Sequence, residues 1–287
     1  MKKYFVLFAL LTSLCFVDAQ KVDKKLQSKI APALEGFKGR AGIYVKNLRN
    51  GKIVRINADT LFPTASMVKI PILVGLMDKI EKGELTYHQE LIYKDSLLYA
   101  GEDILGSFKN DEPIKLSKVM MLMLTTSDNT ASLWLQSLAG TGTRINQLLD
   151  SNQFIYTRVN SRTAGREENR SIFGWGQTTP FEMATLLEKI YKGELISKTV
   201  SAKMLRLLGR NYWDEVAISQ IPSYIFVASK NGAVDESRSE VILVMGKTPY
   251  LFCICTKNNL DTSWTDQNEA WALTRKLSAL LWEYFEK

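Results

Sequence analysis

The chain has 287 residues, 46% hydrophobic and 23% charged, enough for one large domain or two interleaved ones. Its net charge of +7 is a mild excess without any Lys/Arg block interleaved with aromatics, which argues against nucleic acid as a partner. One histidine and three cysteines leave neither a catalytic zinc cluster nor a disulfide framework to build on, so the fold must rest on its core.

Residues 1–19 read as a secretory signal. Lys2 and Lys3 precede an apolar run from Tyr4 to Val17, and Val17-Asp18-Ala19 offers small residues before Gln20. The run is too short to span a bilayer, so stable membrane insertion is not expected. Leu14 is larger than lipoprotein processing at Cys15 usually accepts. The expectation is an exported protein, periplasmic or secreted after cleavage near Ala19. The segment contains Lys2, Lys3 and Asp18, so 287 less 19 leaves 268 residues carrying +6.

The mature chain opens with apolar residues spaced from Val22 to Phe37, the pattern of an amphipathic helix. Residues 41–45 and 52–56 then flank Asn50-Gly51, a strong hairpin signal. Residues 66–82 carry apolar side chains at helical spacing, with Pro71 near the start where it costs least. Further helical patterns cover Leu116 to Leu124, Thr130 to Leu138 and, after Thr179-Pro180, Phe181 to Ile190. Strands return late: residues 224–228 leading into Lys230 at the strand's end, then 241–244 and 250–256. Cys253 and Cys255 lie in the last of these and read as small buried apolar residues. Residues 265–286 form a closing helix. Strands at both ends around a helical middle give an α/β (α+β) fold, an antiparallel sheet flanked by helices and formed from both chain ends. The expected division is residues 20–65 with 195–287 as a discontinuous α/β domain, and 66–194 as an inserted, mainly helical domain.

The residues that carry chemistry are Ser66-Met67-Val68-Lys69, Ser127-Asp128-Asn129 and Lys230-Asn231-Gly232. Ser66-x-x-Lys69 is the sole instance of its pattern, and one is expected by chance in such a chain. Order and context discriminate instead: a serine opening a helix, a second at a loop-to-helix junction, and a lysine on a late strand. At i and i+3 of a helix Ser66 and Lys69 share a face, so the amine can reach the hydroxyl and activate it without a histidine. Burial and the nearby Lys230 would push the Lys69 pKa down, as a base requires. His88 lies in a polar stretch and reads as a surface residue, and no Gly-x-Ser-x-Gly elbow supports a Ser-His-Asp hydrolase.

This ordered set resembles the serine β-lactamase and penicillin-binding protein superfamily, specifically its class A β-lactamase branch, across nearly the whole mature chain. Thr178-Thr179-Pro180 with Met183-Ala184 and Ser237-Arg238 match further class A stretches, while Asn231 replaces the usual threonine or serine of the third motif. The resemblance implies an acyl-serine intermediate at Ser66, no cofactor, and a monomer acting on a small β-lactam or a cell-wall peptide. It implies an oxyanion hole from the N–H groups of Ser66 and Ala233, and proton transfer to the leaving nitrogen by Ser127 with Lys230 holding it. It implies substrate contacts by Asn129, Asn231 and Gly232, and an ion pair from Arg238 to the substrate carboxylate.

The resemblance breaks at the glutamate that activates deacylating water in class A enzymes. Counting back from Pro180 places Thr163 at that position, and counting from Arg162 places Ala164 there. Glu168 follows Arg166 by two residues, but Ile172 then stands where an asparagine belongs; Glu167 fits neither count. The acylation set is therefore complete, with Glu168 and Glu167 as the candidate substitute bases. The alternatives to a class A-like β-lactamase are a hydrolase of D-Ala peptides and a domain that acylates and stalls.

Overall fold

A computed structural model describes residues 21–99 and 103–287. Residues 1–19, read above as a secretory signal and containing Cys15, lie outside the described residues. In chain order the elements are α1 (Lys24–Ile30), β1 (Arg40–Asn47), β2 (Ile53–Ile56), β3 (Phe62–Pro63), α2 (Lys69–Glu81), β4 (Glu90–Ile92), β5 (Pro113–Lys115), α3 (Leu116–Met121), α4 (Asn129–Leu138) and α5 (Thr141–Ser151). There follow β6 (Arg158–Val159), α6 (Glu167–Phe173), β7 (Gly176–Thr178), α7 (Pro180–Lys192), α8 (Lys198–Leu208), β8 (Val227–Val234), β9 (Ser237–Val244), β10 (Tyr250–Lys257) and α9 (Glu269–Glu286).

The main sheet is antiparallel, in the order β2-β1-β10-β9-β8, so strands from both ends of the chain meet where β1 pairs β10. The pleat sorts its side chains. Ile43, Val45, Ile242 and Ile254 pack toward α1 and α9, whereas Tyr44, Val241, Leu243 and Cys253 join the core shared with α2, α4 and α7. The inner strands β9 and β10 are buried on both faces, which is why β10 and the second half of β9 read as near-continuous apolar runs. Cys253 and Cys255 are both buried and unbridged, in keeping with the apolar role read from the sequence.

Three boundaries differ from the sequence reading, each for a physical reason. The first helix stops at Ile30 and tightens into a 3-10 turn, Ala31–Leu34, because Pro32 has no N–H to donate. The last helix starts at Glu269, where the Asn268 side chain accepts from the N–H groups of Ala270 and Trp271. Lys230 does not end its strand. Residues 222–225 form a turn instead, and β8 runs from Val227 through Lys230 to Val234 because Asn231 to Val234 pair with Glu240 to Ser237. Pairing with β9 overrides the local turn preference of Asn-Gly.

Among the described residues no helix is long and apolar enough to cross a membrane.

Candidate active site

The site forms where the edge strand β8 meets the turn that launches α2. Residues Ala65–Val68 make a 3-10 turn and Lys69 opens α2, so Ser66 lies one turn ahead of the lysine. Ala65 adopts φ +43°, a left-handed conformation that costs an L-residue about 1 kcal/mol and lifts the Ser66 peptide out of the helical path. Gly232 on β8 approaches this turn so closely that a Cβ would lie 2.4 Å from Thr64 O and 2.7 Å from Ser66 N. Only glycine fits there, and its neighbour Ala233 lines the cleft beside Ser66.

The second serine comes from an irregular helix end. After α3 the chain widens into a π-helical turn, Leu122–Thr126, and Ser127 follows in the left-handed region at φ +63°. Asp128 holds that shape. Its buried carboxylate caps α4 at 2.7 Å from Ala131 N and accepts from Leu105 N at 2.8 Å. Burial raises its pKa, with the two N–H bonds opposing.

Lys69 joins these pieces. Its Nζ lies 2.9 Å from Ser66 Oγ, 3.0 Å from Ser127 Oγ and 2.9 Å from Asn129 Oδ1, and it also donates to the Ser127 carbonyl. The side chain is fully buried. Burial first, then the positive charge of Lys230, hold its pKa well below the ordinary lysine value, against the pull of Asp103 and Asp128. A neutral amine here can donate to Ser127 O and Asn129 Oδ1 and accept the Ser66 hydroxyl proton on its lone pair. Lys230 is buried too, and its pKa is lowered to about 7 by burial, with Glu240 opposing. Both hydrogen bonds of Lys230 go to Asn231, to the carbonyl at 3.0 Å and to Oδ1 at 3.1 Å. It therefore acts on Lys69 through space.

Two lobes of one cleft meet at Ser66, Asn129 and Ala233. The first, about 730 Å³, is walled by Tyr99, Ile172, Phe173, Gly174, Trp175 and Val234, with Glu236 and Lys257 as its charged residues. Tyr99 and Trp175 meet edge to face at 5.1 Å across it. The second, about 570 Å³, contains Ser127, Asn231 and Gly232 and is walled by Trp213, Trp264 and Trp271, with Asp103, Glu215, Asp266 and Arg275. The Trp213 indole donates to Thr126 O at 2.9 Å, which fixes it beside Ser127.

Ser66, Lys69, Ser127, Asn129, Asn231, Gly232 and Ala233 thus come together, with Lys230 beneath them. Arg238 does not join them. It is 1% exposed, its guanidinium stacked 4.4 Å from the Trp264 ring and 4.8 Å from the Trp271 ring. Its N–H groups go to the carbonyls of Val234, Asp235, Ser237 and Ser263. Arg238 fastens the β8–β9 hairpin to the tryptophan wall from behind, and the cation lining that lobe is Arg275, which donates to Asp266 O. Glu167 and Glu168 open α6 as exposed residues outside both lobes. Thr163 is buried against Gly142, and Ala164 is exposed. Instead, Arg166 and Asn169 close a polar knot on Asn160 and Gln177 behind the wall. Sequence reasoning missed Asp103, Arg275 and the three tryptophans, because only tertiary packing brings them to the cleft, and it missed Glu240, which is buried near Lys230.

A Ser-Lys pair at a helix start and a second serine at a helix junction, set against an antiparallel sheet with a buried strand lysine, are arranged as in the β-lactamase/transpeptidase fold. The sequence profile of the Beta-lactamase enzyme family matches residues 25–285, and the chain belongs to that family. It is 26% identical over 234 residues to β-lactamase VEB-1 of Pseudomonas aeruginosa, covering 79% of this chain and 77% of the relative. It is 25% identical over 201 residues to a β-lactamase of Bacteroides uniformis, covering 69% and 68%. Among solved structures it shares its fold with PBP-A (TM-score 0.81, 23% identity, 93% of this chain and 98% of that one). It also shares it with the TLA-1 extended-spectrum β-lactamase (TM-score 0.82, 17% identity, 92% and 99%).

Proposed function

We propose that this exported member of the family forms an acyl-serine intermediate at Ser66 and releases it slowly, acting on D-Ala-containing cell-wall peptides and being acylated by β-lactams. One observation carries the reading: a single buried amine bridges Ser66 Oγ at 2.9 Å and Ser127 Oγ at 3.0 Å, while the wall facing Ser66 from residues 172–175 is apolar.

Neutral Lys69 takes the Ser66 proton as Oγ attacks the amide carbonyl. The N–H groups of Ser66 and Ala233 hold the oxyanion of the tetrahedral intermediate. As the C–N bond breaks, Ser127 gives its hydroxyl proton to the leaving nitrogen and is reprotonated from Lys69. Asn129 keeps its amide N–H groups for the substrate, since its oxygen is already held by Lys69. Arg275 takes the anion-binding role expected of Arg238. Deacylation then needs a base for water, and Phe173 and Trp175 offer none.

PBP-A supports this reading in one respect: a point mutant of it has been captured as an acyl-enzyme complex with penicillin G. Rapid class A turnover is the competing reading, favoured by the likeness to VEB-1. It would require one of the lining carboxylates, Asp103, Glu215, Glu236 or Asp266, to serve as base. The discriminating experiment measures turnover of a chromogenic cephalosporin beside release of D-Ala from muropeptides. D-Ala release with only stoichiometric cephalosporin consumption is expected; fast cephalosporin turnover with inert muropeptides would sink the proposal.

A further inference from the structure

A second cavity, of about 370 Å³, shares no lining residue with the cleft. It is formed by Tyr87, His88, Lys203, Arg206, Leu207 and Arg210. At roughly 100° per residue, positions 203, 206 and 210 fall within an arc of about 60°, so α8 and the residues just past its end present three cations in one row. Met204, Leu207 and Leu208 occupy the buried side of the same helix. The sequence of α8, KTVSAKMLRLL, contains no acidic residue, and no carboxylate lines the cavity.

Some basic side chains elsewhere have carboxylate partners, whereas Arg206 and Arg210 are exposed and have none among the described residues. Arg144 is bound by Asp78 and Glu84, Arg158 by Asp150, and Glu188 on α7 is held between Lys46 and Lys192. The Arg206 and Arg210 side chains have no hydrogen bond or ion pair with any described residue, and that of Lys203 has only the face of Tyr87, 5.1 Å from its Nζ. Like charges at i,i+3 and i,i+4 repel by a few tenths of a kcal/mol per pair. The helix dipole favours cations in the last turn of α8, which accounts for Arg206 and Arg210 but not for Lys203 farther back. Nor does it account for the loop before β4 closing the cavity. There Tyr87 and His88 meet edge to face at 4.8 Å, and His88 Nδ1 is 3.2 Å from Ser117 Oγ, which leaves Nε2 without a partner among the described residues.

We propose that this cavity is a binding site for a phosphate group, held by the two guanidinium forks and the Lys203 ammonium. Guanidinium geometry matches phosphate oxygens two at a time, and a bound dianion turns the repulsion along α8 into attraction. The same chemistry is offered by a soluble phosphate ester and by an anionic phospholipid headgroup.

His88 is the chain's one histidine, so its imidazole signal reports on the cavity without assignment ambiguity. Inorganic phosphate titrated into the full chain at constant ionic strength should move that signal saturably. The R206A/R210A double variant should need about tenfold more phosphate for the same shift, with its rate of penicillin acylation unchanged as the check on folding. Vesicles of phosphatidylcholine with and without phosphatidylglycerol separate the sources. Sedimentation of the wild type alone with the anionic vesicles assigns the site to a headgroup; saturable phosphate binding without sedimentation assigns it to a soluble ester. Matched chloride producing the same shift, or identical phosphate titrations for wild type and double variant, would overturn the proposal.

Discussion

On one side of the cleft, Ser66, Ser127 and Asn129 are tied together through the single amine of Lys69, each within 3.0 Å of it. On the other side, residues 172–175 present Ile172, Phe173 and Trp175, while Glu167 and Glu168, in the first turn of α6, are exposed to solvent. Both walls border the same cavity, yet only the first carries groups that can move a proton. Under the proposed function the contrast separates the two half-reactions: forming an acyl-serine would draw on the first wall, and freeing it with water on the second.

The largest effect should come from emptying the first wall. Ser66→Ala should abolish penicillin acylation, and Lys69→Ala should slow it about 10³-fold or more, read by intact mass. Next, the second wall can be given what it lacks. Phe173→Glu places a carboxyl in the apolar face and should speed release of the acyl group about tenfold to a hundredfold, read as decay of the adduct; no change would mean that this wall is not where water is activated. A third test separates the two arginines. Arg275→Ala should raise KM for an anionic substrate about tenfold. Arg238→Lys should leave KM alone and lower Tm by about 5 °C, because it disturbs a packed sandwich rather than a substrate contact.

The smallest expected effect is on the pH profile of acylation. Lys69 must be neutral to accept the Ser66 proton, so the rate rises with pH through its lowered pKa. Lys230, lowered to about 7, loses its charge as pH rises through that value, and with it the field at the site. The rate should therefore fall on the alkaline limb. Glu240, whose own pKa burial raises to about 7, opposes the lowering of Lys230. Glu240→Gln should move the alkaline limb to lower pH by a fraction of a unit, and a shift the other way would contradict this coupling.

The sheet, the hairpin at Asn50-Gly51 and the helices after Ser66, Asp128 and Thr179 were legible because periodicity and capping residues are local signals. The motif residues were legible for a related reason: Ser66 and Lys69 are one turn apart, and Ser127-Asp128-Asn129 are adjacent. The role of Arg238 was not legible. The family resemblance suggested a substrate-facing charge, and only Trp264 and Trp271, from loop and helix far along the chain, reveal it as a buried clamp. Lys230 was placed correctly in sequence but at the wrong point of its strand, since long-range pairing with β9 decides where β8 ends. That the glutamates do not sit where the family resemblance would place them was legible in the sequence; that Ile172, Phe173 and Trp175 face Ser66 instead required the fold.

Time-resolved intact-mass measurement after mixing the chain with penicillin G tests the central claim most directly, because it reads formation and loss of the Ser66 adduct separately. The adduct should accumulate to one per chain and outlive its formation time by more than about a hundredfold, the share of rate that a positioned base would supply. An adduct that decays as fast as it forms, or hydrolysed penicillin accumulating with no adduct ever observed, would contradict the account.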